Sequence, residues 1–160
     1  MTLFDFTPDS DIRNWRTVDD TVMGGRSAGN FRINEDGHGE YSGYVSLENN
    51  GGFSSLRYRM PTIRIEGLTT AVIRLKGDGK RYQFRTKTSD QDRYSYVVHF
   101  QTSGKWEEIE LDLRTMKPKF RGRALEMEDY PAEMLSEIAI LIGNKEEQDF
   151  RLALDWIELK

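Results

Sequence analysis

The side chains best suited to chemistry lie beside two glycine pairs. Asp19-Asp20 precedes Gly24-Gly25, with Arg26 and Ser27 just after, and Asn49-Asn50 precedes Gly51-Gly52, with Arg57 a few residues on. Carboxylate, guanidinium, hydroxyl and amide groups at tight turns can meet a polar partner, or can serve their own turn by accepting backbone N–H groups. For the first cluster both roles stay open. One aspartate serves the turn while Arg26 neutralises the other, or Asp19, Asp20, Arg26 and Ser27 together face a protein partner. The second cluster has the chemistry of a sugar site, because amides and an arginine form paired hydrogen bonds with hydroxyls. Trp106, which follows the Ser103-Gly104 turn, could add a stacking ring, as could Tyr82, Tyr94 and Tyr96. Arg57 stands two residues beyond Ser55 and so shares its strand face.

Catalysis has no comparable constellation. Adjacent Asp19 and Asp20 point apart in an extended chain, unlike the carboxylates of a glycosidase, which oppose each other across roughly 5 to 9 Å. His38 and His99 have no metal-ligand spacing, Ser54-Ser55 lacks the glycine-flanked elbow of a serine nucleophile, and Gly24 to Ser27 lacks the lysine step of a phosphate loop. With no cysteine in the chain, thiolate chemistry, thiolate metal sites and disulfides are all excluded. The expectation is a protein without catalytic residues or a cofactor.

The elements that must position these groups read as strands. Eight of the fourteen glycines lie between Gly24 and Gly52, where they shape tight turns. Strand signals run over Leu3 to Phe6, Phe31 to Ile33, Tyr41 to Leu47 and Phe53 to Met60, the last closed by Pro61, while Trp15 to Val18 reads only as a short apolar element. They continue over Ala71 to Lys76, Tyr82 to Thr86, Tyr94 to Phe100, Trp106 to Leu113, Glu137 to Ile142 and Phe150 to Leu159. Asp36-Gly37 with Gly39, and Gly77-Asp78-Gly79, read as hairpin turns. Residues 114 to 130 lose the alternation and read as a long irregular connection, and Pro131 to Glu137 has helical composition. Many short strands and one short helix predict an all-β, antiparallel two-sheet sandwich. Trp15 and Trp156 are expected in its core.

At 160 residues the chain fits a single domain, residues 1 to 160, large enough to remove roughly 70% of its unfolded surface from water. No basic leader or long apolar run precedes the first strand, so the expectation is a cytoplasmic, bacterial protein with no membrane span. Charge is unevenly distributed. Residues 1 to 56 carry four basic and nine acidic side chains, residues 57 to 93 ten and four, and residues 94 to 160 nine and fourteen. The positive middle segment either pairs with acidic strands across the sheet or forms a face for an anion or a partner. Nucleic acid is disfavoured because the chain is acidic overall and carries none of its motifs.

The pattern Trp15, Asp19-Asp20, Met23-Gly24-Gly25, Ser27, Gly43, Ser46 to Asn49 and Gly51 to Arg57 resembles the complex I intermediate-associated protein 30 family. The resemblance resumes at Phe150-Arg151-Leu152 and Asp155-Trp156-Ile157 and spans essentially the whole chain. It implies a galactose-binding-like jelly roll that acts as an assembly factor or chaperone. The implied partner is a protein, such as a respiratory complex I subunit or assembly intermediate, and the implied location is mitochondrial for a processed eukaryotic domain. The fold class also suggests carbohydrate as an alternative ligand. Galactose-binding-like jelly rolls often hold a structural calcium, for which Asp5, Asp9, Asp11, Asp155 and Glu158 are suitable oxygen donors, but there is no calcium-loop motif and no metal is expected. The residues expected to meet a partner or ligand are Asp19, Asp20, Arg26, Ser27, Asn49, Asn50, Arg57 and Trp106.

Overall fold

The computed structural model describes residues 1–160 apart from the side chains of Val22, Met23 and Asn50. Alternating apolar and polar residues set most of the chain as strand. In order these are β1 (Thr2–Asp5), β2 (Trp15–Asp19), β3 (Ala28–Ile33), β4 (Gly39–Val45), β5 (Ser54–Arg64), β6 (Thr70–Lys76) and β7 (Arg81–Lys87). There follow β8 (Ser95–Gln101), β9 (Trp106–Asp112), β10 (Lys117–Phe120), β11 (Arg123–Ala124), β12 (Met134–Ile142) and β13 (Gln148–Leu159). One sheet has the order β3-β4-β13-β6-β9, with β1 also paired to β13, and the other has the order β11-β10-β8-β7-β12-β5-β2. All these pairings are antiparallel. The result is the antiparallel two-sheet sandwich that the alternation predicts.

The core lies between the sheets because each strand turns one row of apolar side chains inward. Tyr41, Ile73, Leu75, Leu152 and Leu154 come from the first sheet and meet Leu56, Tyr82, Phe84, Ile138 and Ile140 from the second. Each such side chain contributes about 1.5 to 3 kcal/mol on burial. Trp15 joins this core through stacking on Tyr58 at 4.6 Å, as expected. Trp156 does not. It pairs with Arg74 just past a bulge in β13 and stays half-exposed, because the extra residue of the bulge turns its side chain out of the core row.

Four other expectations need correction. Residues 131 to 137 are not helical: β12 begins at Met134, and its pairing with β5 and β7 overrides the local helical composition. Among the described residues helix is confined to short 3-10 turns at Asp20–Met23, Glu48–Asn50 and Leu113–Thr115. Pro61 does not close its strand, since β5 runs on to Arg64 with Pro61 inside an irregularity of the pairing with β12. A proline that owes no ladder hydrogen bond fits there. Gly77-Asp78-Gly79 joins β6 of one sheet to β7 of the other and is a crossover, not a hairpin turn. The stretch from 114 to 130 contains a small hairpin, β10-β11, whose turn residues Arg121 and Gly122 take φ of 51° and 77°. Two left-handed residues in sequence form the tight turn that matches strand twist.

Candidate functional site

The two glycine motifs close on each other around Asp20. This residue is 1% exposed. Its Oδ1 accepts the backbone N–H of Ser27 at 2.9 Å, and its Oδ2 accepts the Ser27 hydroxyl at 2.6 Å and the N–H groups of Gly52 at 2.6 Å and Phe53 at 3.2 Å. Burial raises the pKa of this carboxyl, but the hydrogen bonds outweigh burial and hold it below its ordinary value. A Cβ on Gly25 or Gly51 would fall on the Asp20 carboxyl, so glycine is needed at both positions for close approach. Asp19 does a parallel job between the sheets. Its Oδ2 accepts the N–H of Gly29 on β3 at 2.9 Å, and its Oδ1 accepts the hydroxyl of Ser54 on β5 at 2.6 Å. Ser54 in turn accepts the buried hydroxyl of Tyr41 on β4 at 2.7 Å.

Of the two roles open to Asp19 and Asp20, the geometry is that of carboxylates serving their own turns. Asp20 and Ser27 have no surface from which to meet a partner. Arg26 does not neutralise either aspartate. It is exposed and lies 3.4 Å from Glu48, which holds one glycine loop to the other at the surface. Asn49 is exposed in the left-handed region at φ 55°, and the side chain of Asn50 lies outside the described residues.

Arg57 lies elsewhere, on the face of the seven-stranded sheet that points away from the core. Strand register sets Arg57 of β5 and Arg85 of β7 on either side of Ala139 of β12. They are part of the lining of a groove of about 540 Å³ whose charged side chains are Arg57, Arg85, Lys87, Arg93, Arg121 and Lys145 against one carboxylate, Glu137. Among the described residues no ion pair engages Arg57 or Arg85. Each donates only through Nε, Arg57 to the Ser55 hydroxyl at 3.3 Å and Arg85 to the Gln83 side-chain oxygen at 3.0 Å. Burial and the Arg57 charge push Arg85 down to about 10, and burial also lowers Arg57 against the opposing charge of Glu137.

Beyond Arg85 a second hollow of about 770 Å³ continues past His99 and Lys119, sharing Gln83, Arg85, Gly122, Gly143 and Lys145 with the first. Burial, followed by the charges of Arg81, Lys119 and Arg85, lowers the pKa of His99. Forked guanidinium groups in a trough have the chemistry to pair with an oxyanion in two parallel hydrogen bonds. Arg85 was absent from the sequence-based candidates. Its signal was the alternation Arg81, Gln83, Arg85, Lys87, which puts four polar side chains on one strand face.

Trp106 does not join Arg57. It projects from β9 on the other sheet, with its ring 4.6 Å from that of His38 and the Arg74 guanidinium 5.3 Å from its centre, while Arg74 pairs with Asp155 at 3.0 Å. The arginine and the ring expected to frame one sugar site therefore sit in different sheets. Among the described residues no three histidine, aspartate or glutamate side chains converge as a metal site, and no helix is long and apolar enough to cross a membrane.

Among solved structures, the chain is similar to the family 11 carbohydrate-binding module of the cellulosomal cellulase Lic26A-Cel5E of Clostridium thermocellum. Identity is 13% and the TM-score 0.69, over 98% of this chain and 92% of that one. A family 11 carbohydrate-binding module from Clostridium thermocellum in complex with a β-1,3-1,4-mixed-linked tetrasaccharide matches at 15% identity and a TM-score of 0.67, over 99% of this chain and 93% of that one. A family 4 carbohydrate-binding module matches at 12% identity and a TM-score of 0.59, over 99% of both chains. These likenesses show the jelly-roll sandwich fold. No curated protein sequence matches the chain. The family model described as Complex I intermediate-associated protein 30 (CIA30) matches residues 4–154, which include both glycine loops and the strands that floor the groove, and the chain belongs to that family.

Proposed function

We propose that this chain is a non-catalytic binding module that holds a protein partner while a larger complex, such as a membrane-associated respiratory complex, is assembled. The observation that carries this reading is the outer face of the seven-stranded sheet, where Arg57 and Arg85 are partly buried and form no ion pair among the described residues, with Glu137 the one carboxylate of the groove. A partly buried guanidinium that pairs with no anion destabilises the isolated fold, and the six cations of this groove outnumber its single carboxylate, so a second molecule is left to supply the anion. Membership of the CIA30 family supports the assembly context. Asp20 and the glycine loops then have a supporting role, fixing the end of β5 from which Arg57 projects.

The test is capture from the native host with a tagged chain, wild type against Arg57→Ala/Arg85→Ala, at moderate salt and followed by mass spectrometry. Subunits of a membrane-associated complex retained by wild type and lost by the folded variant support the proposal. A screen of oligosaccharides runs beside it, because the fold is that of carbohydrate-binding modules. Saturable oligosaccharide binding that the same variant loses, with no protein captured, would replace the partner with a glycan.

A further inference from the structure

We infer that the occupant of the groove is an extended acidic peptide segment of that partner, with carboxylates repeating about every third residue. The inference rests on the partner-holding reading and names the chemistry of the partner.

Three observations support it. The first is charge. Six cationic side chains and one carboxylate line the groove, and Arg57 and Arg85 keep their terminal guanidinium nitrogens clear of protein acceptors among the described residues. Those nitrogens form a fork that matches a carboxylate in two parallel hydrogen bonds.

The second is spacing. Arg57, Ala139 and Arg85 are register partners on adjacent strands, so the two arginines stand two strand spacings apart, about 10 Å at the backbone. A polyproline-type chain brings every third side chain back to the same side after about 9 Å. A segment crossing the strands in that form sets successive acidic residues over the two arginines, and the continuation of the trough past His99 to Lys119 carries the chain further.

The third is the apolar part of the lining. Val18, Phe53, Phe120 and Leu141 line the same groove as the cations, Val18 and Leu141 in the cross-strand row beside that of Arg57 and Arg85, and offer contact to the aliphatic residues between the carboxylates. Single-stranded nucleic acid would instead call for a row of stacking rings, and the cationic floor carries Ala139 and Leu141 where such rings would stand.

The experiment uses the full chain and a fluorescent peptide of repeated Pro-Leu-Glu, read by anisotropy, with the same peptide bearing Gln for Glu as its control. The expected result is saturable binding that weakens with salt and falls by about tenfold or more for the Gln peptide and for Arg57→Met or Arg85→Met. Trp106→Ala, altered on the opposite sheet, binds as wild type, and thermal melts confirm that each variant is folded. Equal affinity for the Glu and Gln peptides overturns the inference. So does tighter binding of an oligouronate, a single-stranded RNA or an anionic vesicle through the same arginines. If capture of a native partner depends on Arg57 and Arg85 while the Glu peptide does not bind, the acidic segment falls and the partner reading stands. If the Glu peptide binds as expected but no partner is captured, the groove chemistry stands and partner holding falls.

Discussion

Asp20 accepts the backbone N–H of Gly52 at 2.6 Å across 32 positions of sequence, and this bond joins the two glycine loops at one buried carboxylate. Three further donors converge on the same group, from Ser27 and Phe53. Asp20→Ala leaves the three backbone N–H groups without an acceptor, the Ser27 hydroxyl keeping only the Ser46 carbonyl at 3.3 Å, and is expected to cost on the order of 4 kcal/mol, with Asp20→Asn costing roughly half as much. Urea unfolding of the three proteins checks the ranking. Equal stability of Asp20→Ala and wild type would remove the carboxylate from its structural role.

Gly25→Ala should act through the same group, because the added Cβ meets the Asp20 carboxyl. Its cost is expected to be about 2 to 3 kcal/mol, and to shrink in the Asp20→Ala background. A double-mutant cycle measures that coupling. Strict additivity would mean that the glycine serves another neighbour.

Arg85→Met is predicted to stabilise the isolated protein by about 1 to 3 kcal/mol at neutral pH, since it removes a partly buried charge that pairs with no anion among the described residues. The sign follows from the direction of the shift. The folded-state value, about 10, lies below the ordinary 12.5, so the penalty on the charged form is fully present at neutral pH and is relieved as pH rises through about 10. A melting temperature that rises while partner capture is lost identifies a residue kept for binding. A fall in melting temperature would make Arg85 a structural residue.

Acid should act on two groups in separable windows. His99 has a value below 6.5, so the unfolded chain protonates first, and stability declines as pH falls from about 6.5 to the folded value. Asp20 has a value below 3.8, so its contribution is present above that pH and is lost as pH falls through the folded value. His99→Gln should flatten the first decline and leave the second. Urea midpoints between neutral pH and pH 3, for wild type and variant, test both signs.

Trp106→Ala is expected to cost about 1 to 2 kcal/mol, for loss of the His38 and Arg74 contacts, and to leave ligand binding at the groove unchanged. Loss of glycan or partner binding in this variant would move the site to the other sheet.

Much of the fold was legible in the sequence because strand alternation is local. Tyr94 and Tyr96, Val98 and Phe100 share a face whatever lies around them, and that face packs on the core. The helical reading of Pro131 to Glu137 failed because composition is a weak preference and β12, paired on both sides, outweighs it. Arg57 was legible as a candidate from its position beyond the second glycine loop. Arg85 was not, since nothing local to β7 says that another arginine stands two strands away. Asp20 stood out as chemically able, but its burial depends on Gly52 and Phe53, which no nearby residue announces.

The sequence by itself determined an all-β chain, the glycine pairs that admit close backbone approach, and a positive segment from Arg57 to Arg93, because periodicity, missing side chains and charge are properties of adjacent residues. Only the tertiary structure decided that Asp19 and Asp20 turn inward, that Trp106 and Arg57 stand in different sheets, and that Arg57 and Arg85 share one groove. Those outcomes follow from strand order and register, which bring distant residues to within one or two strand spacings, and the arrangement of a sheet is set by the packing of the whole chain.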